Sequence, residues 1–234
     1  MSWQRYWTAW SRYHHSSGFG IHSPYAYRFV RHVWRQPLPY YAYEGIHQLI
    51  DTVKAETTRE QRREMDLIDE REARLLFRVT NFFNPGHFLQ VGARTGVESV
   101  AMMAVSHTSR LHLLDPQLEP KALAVRVLHS QLDRVECYND EAVAIGDFLD
   151  VCHKDEGIPL ALINVPVEDS ADLKRLIDSQ VVIVMRNLLR NGAMRDQYDT
   201  ACTFMDKGQT YTNGKIAVLI PNPKLQREDF MLWL

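Results

Sequence analysis

From Phe88 onward, five short apolar runs recur with room for a helix between each pair: Phe88–Val91, Leu111–Leu114, Val135–Tyr138, Leu160–Ile163 and Val181–Met185. Runs this short, mostly uninterrupted by polar residues, suit strands buried on both faces, as in a parallel sheet. The segments between them, Val97–Ser106, Lys121–Leu132, Glu141–Val151 and Asp169–Asp178, have helical length and composition. Strand and helix repeated in this order make the βαβ rhythm of a doubly wound sheet with right-handed crossovers. The rhythm stops near the end of the chain, where Gln209–Thr212 and Lys215–Ile220 flank Asn213-Gly214, the strongest short signal for an antiparallel hairpin. Phe230–Leu234 is a candidate for one further edge strand.

The chain changes character at Asn84-Pro85-Gly86, which divides a helical N-terminal extension or cap, 1–83, from the α/β domain, 84–234. Within the extension, Trp3, Tyr6, Trp7, Trp10 and Tyr13 recur at three- and four-residue steps, one face of a helix. That stripe is a docking face, for the same chain or for a second copy in a homodimer. Tyr25–Trp34 continues at helical spacing until Pro37 and Pro39 end it, and Tyr43–Val53 with Thr58–Phe83 reads as a helical hairpin with a solvated tip. His22 and Tyr25 lie in a turn-rich stretch that serves either as a lid over the ligand site or as an anchor for the extension.

A formal charge of −2 and a pI near 6.5 give no whole-chain reason to bind nucleic acid or an anionic membrane. Cys137, Cys152 and Cys202 are too scattered for a disulfide framework or a thiolate zinc site. No run approaches the ~18 uninterrupted apolar residues of a membrane span, and the N-terminus lacks a secretory pattern. A cytoplasmic location is expected. His14 and His15, adjacent and without a spaced partner, read as surface residues.

The chemistry concentrates at Phe88-Leu-Gln-Val-Gly-Ala-Arg-Thr-Gly96 and at Asp115, which closes the next apolar run. A glycine turn after a strand lets the backbone approach a ligand, and an acid closing the following strand can accept hydrogen bonds from ribose hydroxyls. Together with Gly20-Ile-His-Ser-Pro24, Pro39-Tyr-Tyr-Ala-Tyr43, Leu75-Leu-Phe-Arg-Val79 and the antiparallel tail, these residues resemble a group of bacterial class I S-adenosylmethionine-dependent methyltransferase-like proteins. The resemblance spans nearly the whole chain. It implies a Rossmann-like fold, a mostly parallel seven-stranded sheet ending in an antiparallel hairpin. It also implies an S-adenosylmethionine site built from Gln90, Gly92, Arg94, Gly96, Asp115 and Asn164.

The chain departs from the family pattern at three strand ends. Gln90 stands where the family carries an acid, Asn164 replaces the acid closing the fourth strand, and Arg186-Asn187 replaces the acids that hold a metal in related O-methyltransferases. A hard cation needs carboxylate oxygens, and a guanidinium repels it, so metal-dependent chemistry is not expected. What the resemblance leaves is metal-independent methyl transfer to an acceptor that the sequence does not identify, a small molecule or a macromolecule, with Asn164, Arg186 and Asn187 on the acceptor side and no identifiable catalytic base. Arg186 reads alternatively as a salt-bridged structural arginine, and Asp140 as a helix cap rather than an adenine contact. The same departures motivate a second reading, a non-catalytic binding or interaction module. A nicotinamide-dependent oxidoreductase ranks last, because the turn lacks Gly-x-Gly-x-x-Gly.

Overall fold

The computed structural model describes residues 21–119, 122–154 and 157–234; the Trp/Tyr stripe, His14, His15 and Gly20 lie outside the described residues. Helix α1 (Pro24–Phe29) is capped by Ser23, whose Oγ accepts from Ala26 N, and runs into a π-helical turn, Val30–Trp34. Helices α2 (Ala42–Glu56), α3 (Arg59–Glu64) and α4 (Glu70–Phe83) follow. The expected hairpin arm Thr58–Phe83 is thus broken at 65–69. Ile68 is buried there, and the Asp69 carboxylate accepts from Glu72 N to start a new helix.

The alternating part comprises β1 (His87–Val91), α5 (Val97–Met103), β2 (Arg110–Leu114), α6 (Leu123–Val127), β3 (Val135–Tyr138), α7 (Glu141–Cys152), β4 (Leu160–Ile163), α8 (Ser170–Asp178), β5 (Val182–Met185) and α9 (Gly192–Phe204). The tail adds β6 (Gln209–Thr212), β7 (Ala217–Ile220) and β8 (Glu228–Met231). Asp140 caps α7, its carboxylate accepting from Val143 N. The helix expected over Lys121–Leu132 is shorter: α6 gives way to a 3-10 turn, His129–Arg134.

The strands form one eight-stranded sheet in the order β3-β2-β1-β4-β5-β7-β6-β8. The first five are parallel, β7 runs antiparallel to β5 and β6, and β8 extends the edge parallel to β6. Seven of these strands reproduce the expected sheet, and the eighth comes from the edge segment anticipated near Phe230. This is the Rossmann-like fold of class I methyltransferases. The strand order reverses between β1 and β4, and in open α/β sheets the crevice at the carboxyl ends of such a pair is where ligands bind.

Each central strand buries both faces, with Phe88, Leu113, Leu162 and Val184 facing one way and Leu89, Leu114, Ile163 and Met185 the other. Helices α1, α2, α4 and α5 cover the first face, and α7, α8 and α9 the second. The N-terminal helices therefore share the core of the sheet. Phe29 lies against Tyr211 at 4.4 Å between ring centroids, and Trp34 Nε1 donates to the Trp233 carbonyl at 2.7 Å. Gln209 Nε2 donates to Ser23 Oγ, and Tyr25 meets Phe82 edge-on, so the turn-rich stretch anchors the extension on the β6 side. No helix among the described residues is long and apolar enough to cross a membrane.

One buried cation fastens the extension. Arg78 on α4 donates through Nε to the Val33 carbonyl, through Nη2 to the Trp34 carbonyl and through Nη1 to Tyr43 Oη, satisfying the end of the π-helical turn. Arg78→Ala strands these acceptors in the core, and urea titration should show a loss of roughly 2–4 kcal/mol.

On the other face, His112 is 2% exposed and sits between His87 Nδ1 (3.1 Å) and Tyr138 Oη (3.1 Å). Burial holds its imidazole below the ordinary value of 6.5, with the Glu136 carboxylate pulling the other way. The unfolded chain therefore binds a proton that the folded chain refuses, and stability present above pH 6.5 is lost as pH falls below it. His112→Gln should remove a slope of up to about 1.4 kcal/mol per pH unit from stability measured between pH 5 and 7.

Candidate functional site

Gly92, Ala93, Arg94, Thr95 and Gly96 form the turn between β1 and α5 at the reversal point of the sheet. Gly92 takes φ +84° and Gly96 φ +78°, left-handed values that favour glycine. Asp115 follows β2 and is tied to this turn: its Oδ2 accepts from Ala93 N at 2.9 Å and its Oδ1 from Gln117 N at 3.0 Å. A carboxylate offers about four acceptor positions, so capacity for further donors remains.

Gln90 and Asn164 are both 0% exposed and converge on one atom, the Gly92 carbonyl oxygen. Gln90 Nε2 donates to it at 3.0 Å and Asn164 Nδ2 at 2.9 Å. Both lone pairs of that carbonyl are engaged. Ser99 Oγ on α5 donates to Gln90 Oε1 at 2.7 Å, which fixes the glutamine amide. Arg94 Nη2 donates to the Asn164 carbonyl at 3.2 Å, and Asn187 Nδ2 reaches the same oxygen at 3.4 Å. The six residues expected from the sequence thus lie together at the carboxyl ends of β1, β2 and β4.

The space above the turn is closely packed. A Cβ on Gly92 would meet both γ-methyls of Val165 at 3.0 Å, and one on Gly96 would meet the Ala124 carbonyl oxygen at 3.0 Å. Val165 therefore rests on the bare glycine backbone, with α6 against the other end of the turn. Gly92, Ala93, Thr95 and Gly96 are all buried.

Arg186 lies inside the molecule at 1% exposure, in the salt-bridged role. Its Nη1 donates to Glu98 Oε1 at 2.6 Å and to Asn164 Oδ1 at 3.1 Å, while Nη2 lies 3.5 Å from both Asp66 Oδ2 and Glu72 Oε2. Burial pushes the Glu98 carboxyl above its ordinary range, with the guanidinium and Thr95 Oγ1 pulling it back. Glu72 is raised by burial in the same way, again with Arg186 opposing. A cation is thus supplied by the chain itself at the end of β5.

Glu98, Asp66, Glu72 and Val165 were not singled out from the sequence. For Glu98 a local signal existed, since Thr95 and Glu98 stand in the Thr-x-x-Glu spacing of a capping box. The others are brought in by long-range packing that carries no local pattern.

Among solved structures, a Staphylococcus aureus chain provisionally assigned as a caffeoyl-CoA O-methyltransferase superposes with a TM-score of 0.52 at 13% identity, covering 76% of this chain and 100% of that one. The SAH-bound methyltransferase PaMTH1 of Podospora anserina gives 0.51 at 10% identity, over 79% of this chain and 89% of that one. A methyltransferase from Geobacter sulfurreducens gives 0.50 at 18% identity, over 79% and 93%. At these identities the likeness is one of fold. No protein-family model matches the chain, and no curated protein matches it.

Removing the guanidinium leaves Glu98 fully buried without its cation. Arg186→Met should cost ~3–5 kcal/mol by chemical denaturation, and adding Glu98→Gln should recover a large part of that loss.

Proposed function

We propose that the protein is a metal-independent S-adenosylmethionine-dependent methyltransferase, acting in the cytoplasm on a small-molecule acceptor. The observation that carries this reading is Asp115. Its carboxylate is half-buried at the end of β2, beside the sheet's reversal point, and each oxygen holds a single backbone donor. Two ribose hydroxyls could be received there as donors. Gly92, Arg94 and Gly96 would form the floor, with Gln90 and Asn164 holding the turn's shape from beneath.

The sulfonium of the cofactor supplies an already activated methyl group. What the chain must do is align an acceptor and exclude water. Of the three residues expected on that side only Asn187 is half-buried, whereas Asn164 and Arg186 lie behind it in the interior. No side chain here is assigned as a general base, because Asn164 cannot take a proton and Arg186 already holds its own.

Fit is better at the ribose end than at the turn. The Gly92 carbonyl has no free lone pair, and Val165 covers the glycine, so a ligand's amino-acid end must displace the isopropyl group. That packing favours the second reading, a non-catalytic module on the same fold. Calorimetric titration with S-adenosylmethionine and S-adenosylhomocysteine separates the two. The expected result is saturable heat for the wild type and tighter binding by Val165→Ala. Absence of heat for both proteins up to millimolar ligand would sink the methyltransferase reading.

A further inference from the structure

Averaged over the chain the charge is close to neutral; along the chain it is uneven. The first acidic residue is Glu44, and Arg5, Arg12, Arg28, Arg31 and Arg35 all precede it. With −2 on the whole chain, residues 44–234 hold the surplus of acid. Arg5 and Arg12 lie outside the described residues, but the other three arginines stand on one exposed face.

That face is the outer side of α1 and its π-helical turn. Ala26, Phe29, Val30, Val33 and Trp34 are buried, which leaves Arg28, Arg31, His32 and Arg35, at three- and four-residue steps, on the outside. The side chains of Arg31 and His32 have no hydrogen bond or ion pair among the described residues, and Arg28 lies over the Phe82 ring, 5.5 Å from its centroid. Among the described residues no acid lines the open cleft of about 610 Å³ on this face, whose walls include Tyr27, Arg31, His32, Arg35 and Leu38. Glu44 and Glu70 line the adjoining groove beyond Pro37, where Arg74 and His47 engage Glu70. Large apolar groups stand among the cations: Leu38 is 62% exposed and Tyr27 47%, and the Trp34 Nε1 bond holds the exposed Trp233 alongside.

We propose that this face docks on an anionic phospholipid surface, with the arginines at the headgroup phosphates and Leu38, Tyr27 and Trp233 entering the boundary between them. Arginine and the amphipathic aromatic rings suit that boundary, with a polar end among the headgroups and an apolar body beneath. A nucleic acid would also answer the cations, but Leu38 offers it neither a donor nor a stacking face. A flexible polyanion would in addition meet the acid surplus of the rest of the molecule. A bilayer plane touches one face only, and at physiological salt charges more than about 8 Å away are largely screened from it. Docking of this kind lies on the membrane and does not span it. It needs no cofactor, so it stands or falls separately from the methyltransferase reading.

The test is co-sedimentation of the full chain with vesicles of phosphatidylcholine alone and of phosphatidylcholine with about a third phosphatidylserine, a single-stranded RNA oligonucleotide serving as the alternative polyanion. The chain should bind the anionic vesicles at least about tenfold more tightly than the neutral ones and lose that preference in high salt. Arg31→Gln should weaken binding about fivefold, and Arg28→Gln combined with it about twenty-fivefold, the loss expected for each arginine at such a surface. Leu38→Ser should weaken it about fivefold as well, a loss that RNA binding would not show. All three positions are exposed, and thermal midpoints confirm that each variant is folded. Equal binding to neutral and anionic vesicles, tighter binding of the RNA than of the anionic vesicles, an unchanged affinity in the double variant or in Leu38→Ser, or no binding to either vesicle overturns the proposal.

Discussion

The Arg186 guanidinium sits where four segments of the chain meet, and its burial dictates how they meet. A desolvated cation is tolerated only when its donors and its charge are answered. Here the answers come from Glu98 on α5, Asn164 after β4, Asp66 in the break before α4 and Glu72 within α4. The N-terminal helices, the helix after the glycine turn and two neighbouring strand ends are thereby held in one arrangement. A buried pair of this kind adds little net stability over a well-packed apolar substitute; its effect is on which partners can be adjacent.

Asn164 carries that constraint to the glycine turn. An arginine has donors only, so the asparagine must present Oδ1 to Arg186, and its Nδ2 is then committed to the Gly92 carbonyl. Gln90 makes the same kind of contact from the other side. An ionised carboxylate at either position would set acceptor against acceptor at the Gly92 oxygen. The two amides are therefore a matched pair of donors to the same carbonyl.

The sheet was legible in the sequence because parallel strands buried on both faces leave continuous apolar runs, and Asn213-Gly214 marks its hairpin with a local conformational demand. Asp140 was legible as a cap for a similar reason: the contact spans three residues. The Arg186–Glu98 pair spans 88 residues, and nothing near either residue announces it. Gln90 and Asn164 were visible as missing charges but not as donors, since their shared acceptor is a backbone atom. Val165 reads as an ordinary apolar residue. Only the fold places its methyls on Gly92.

Asn164 also joins the guanidinium to the glycine turn, beside the second connection that runs from Arg186 through Glu98 to Thr95. Its Oδ1 accepts from the guanidinium, and its Nδ2 donates to the Gly92 carbonyl in the turn. The amide therefore has one orientation: turning it over would set Oδ1 against the Gly92 carbonyl oxygen and Nδ2 against the guanidinium. One amide, with one donor end and one acceptor end, cannot be reoriented for the turn without being reoriented for Arg186.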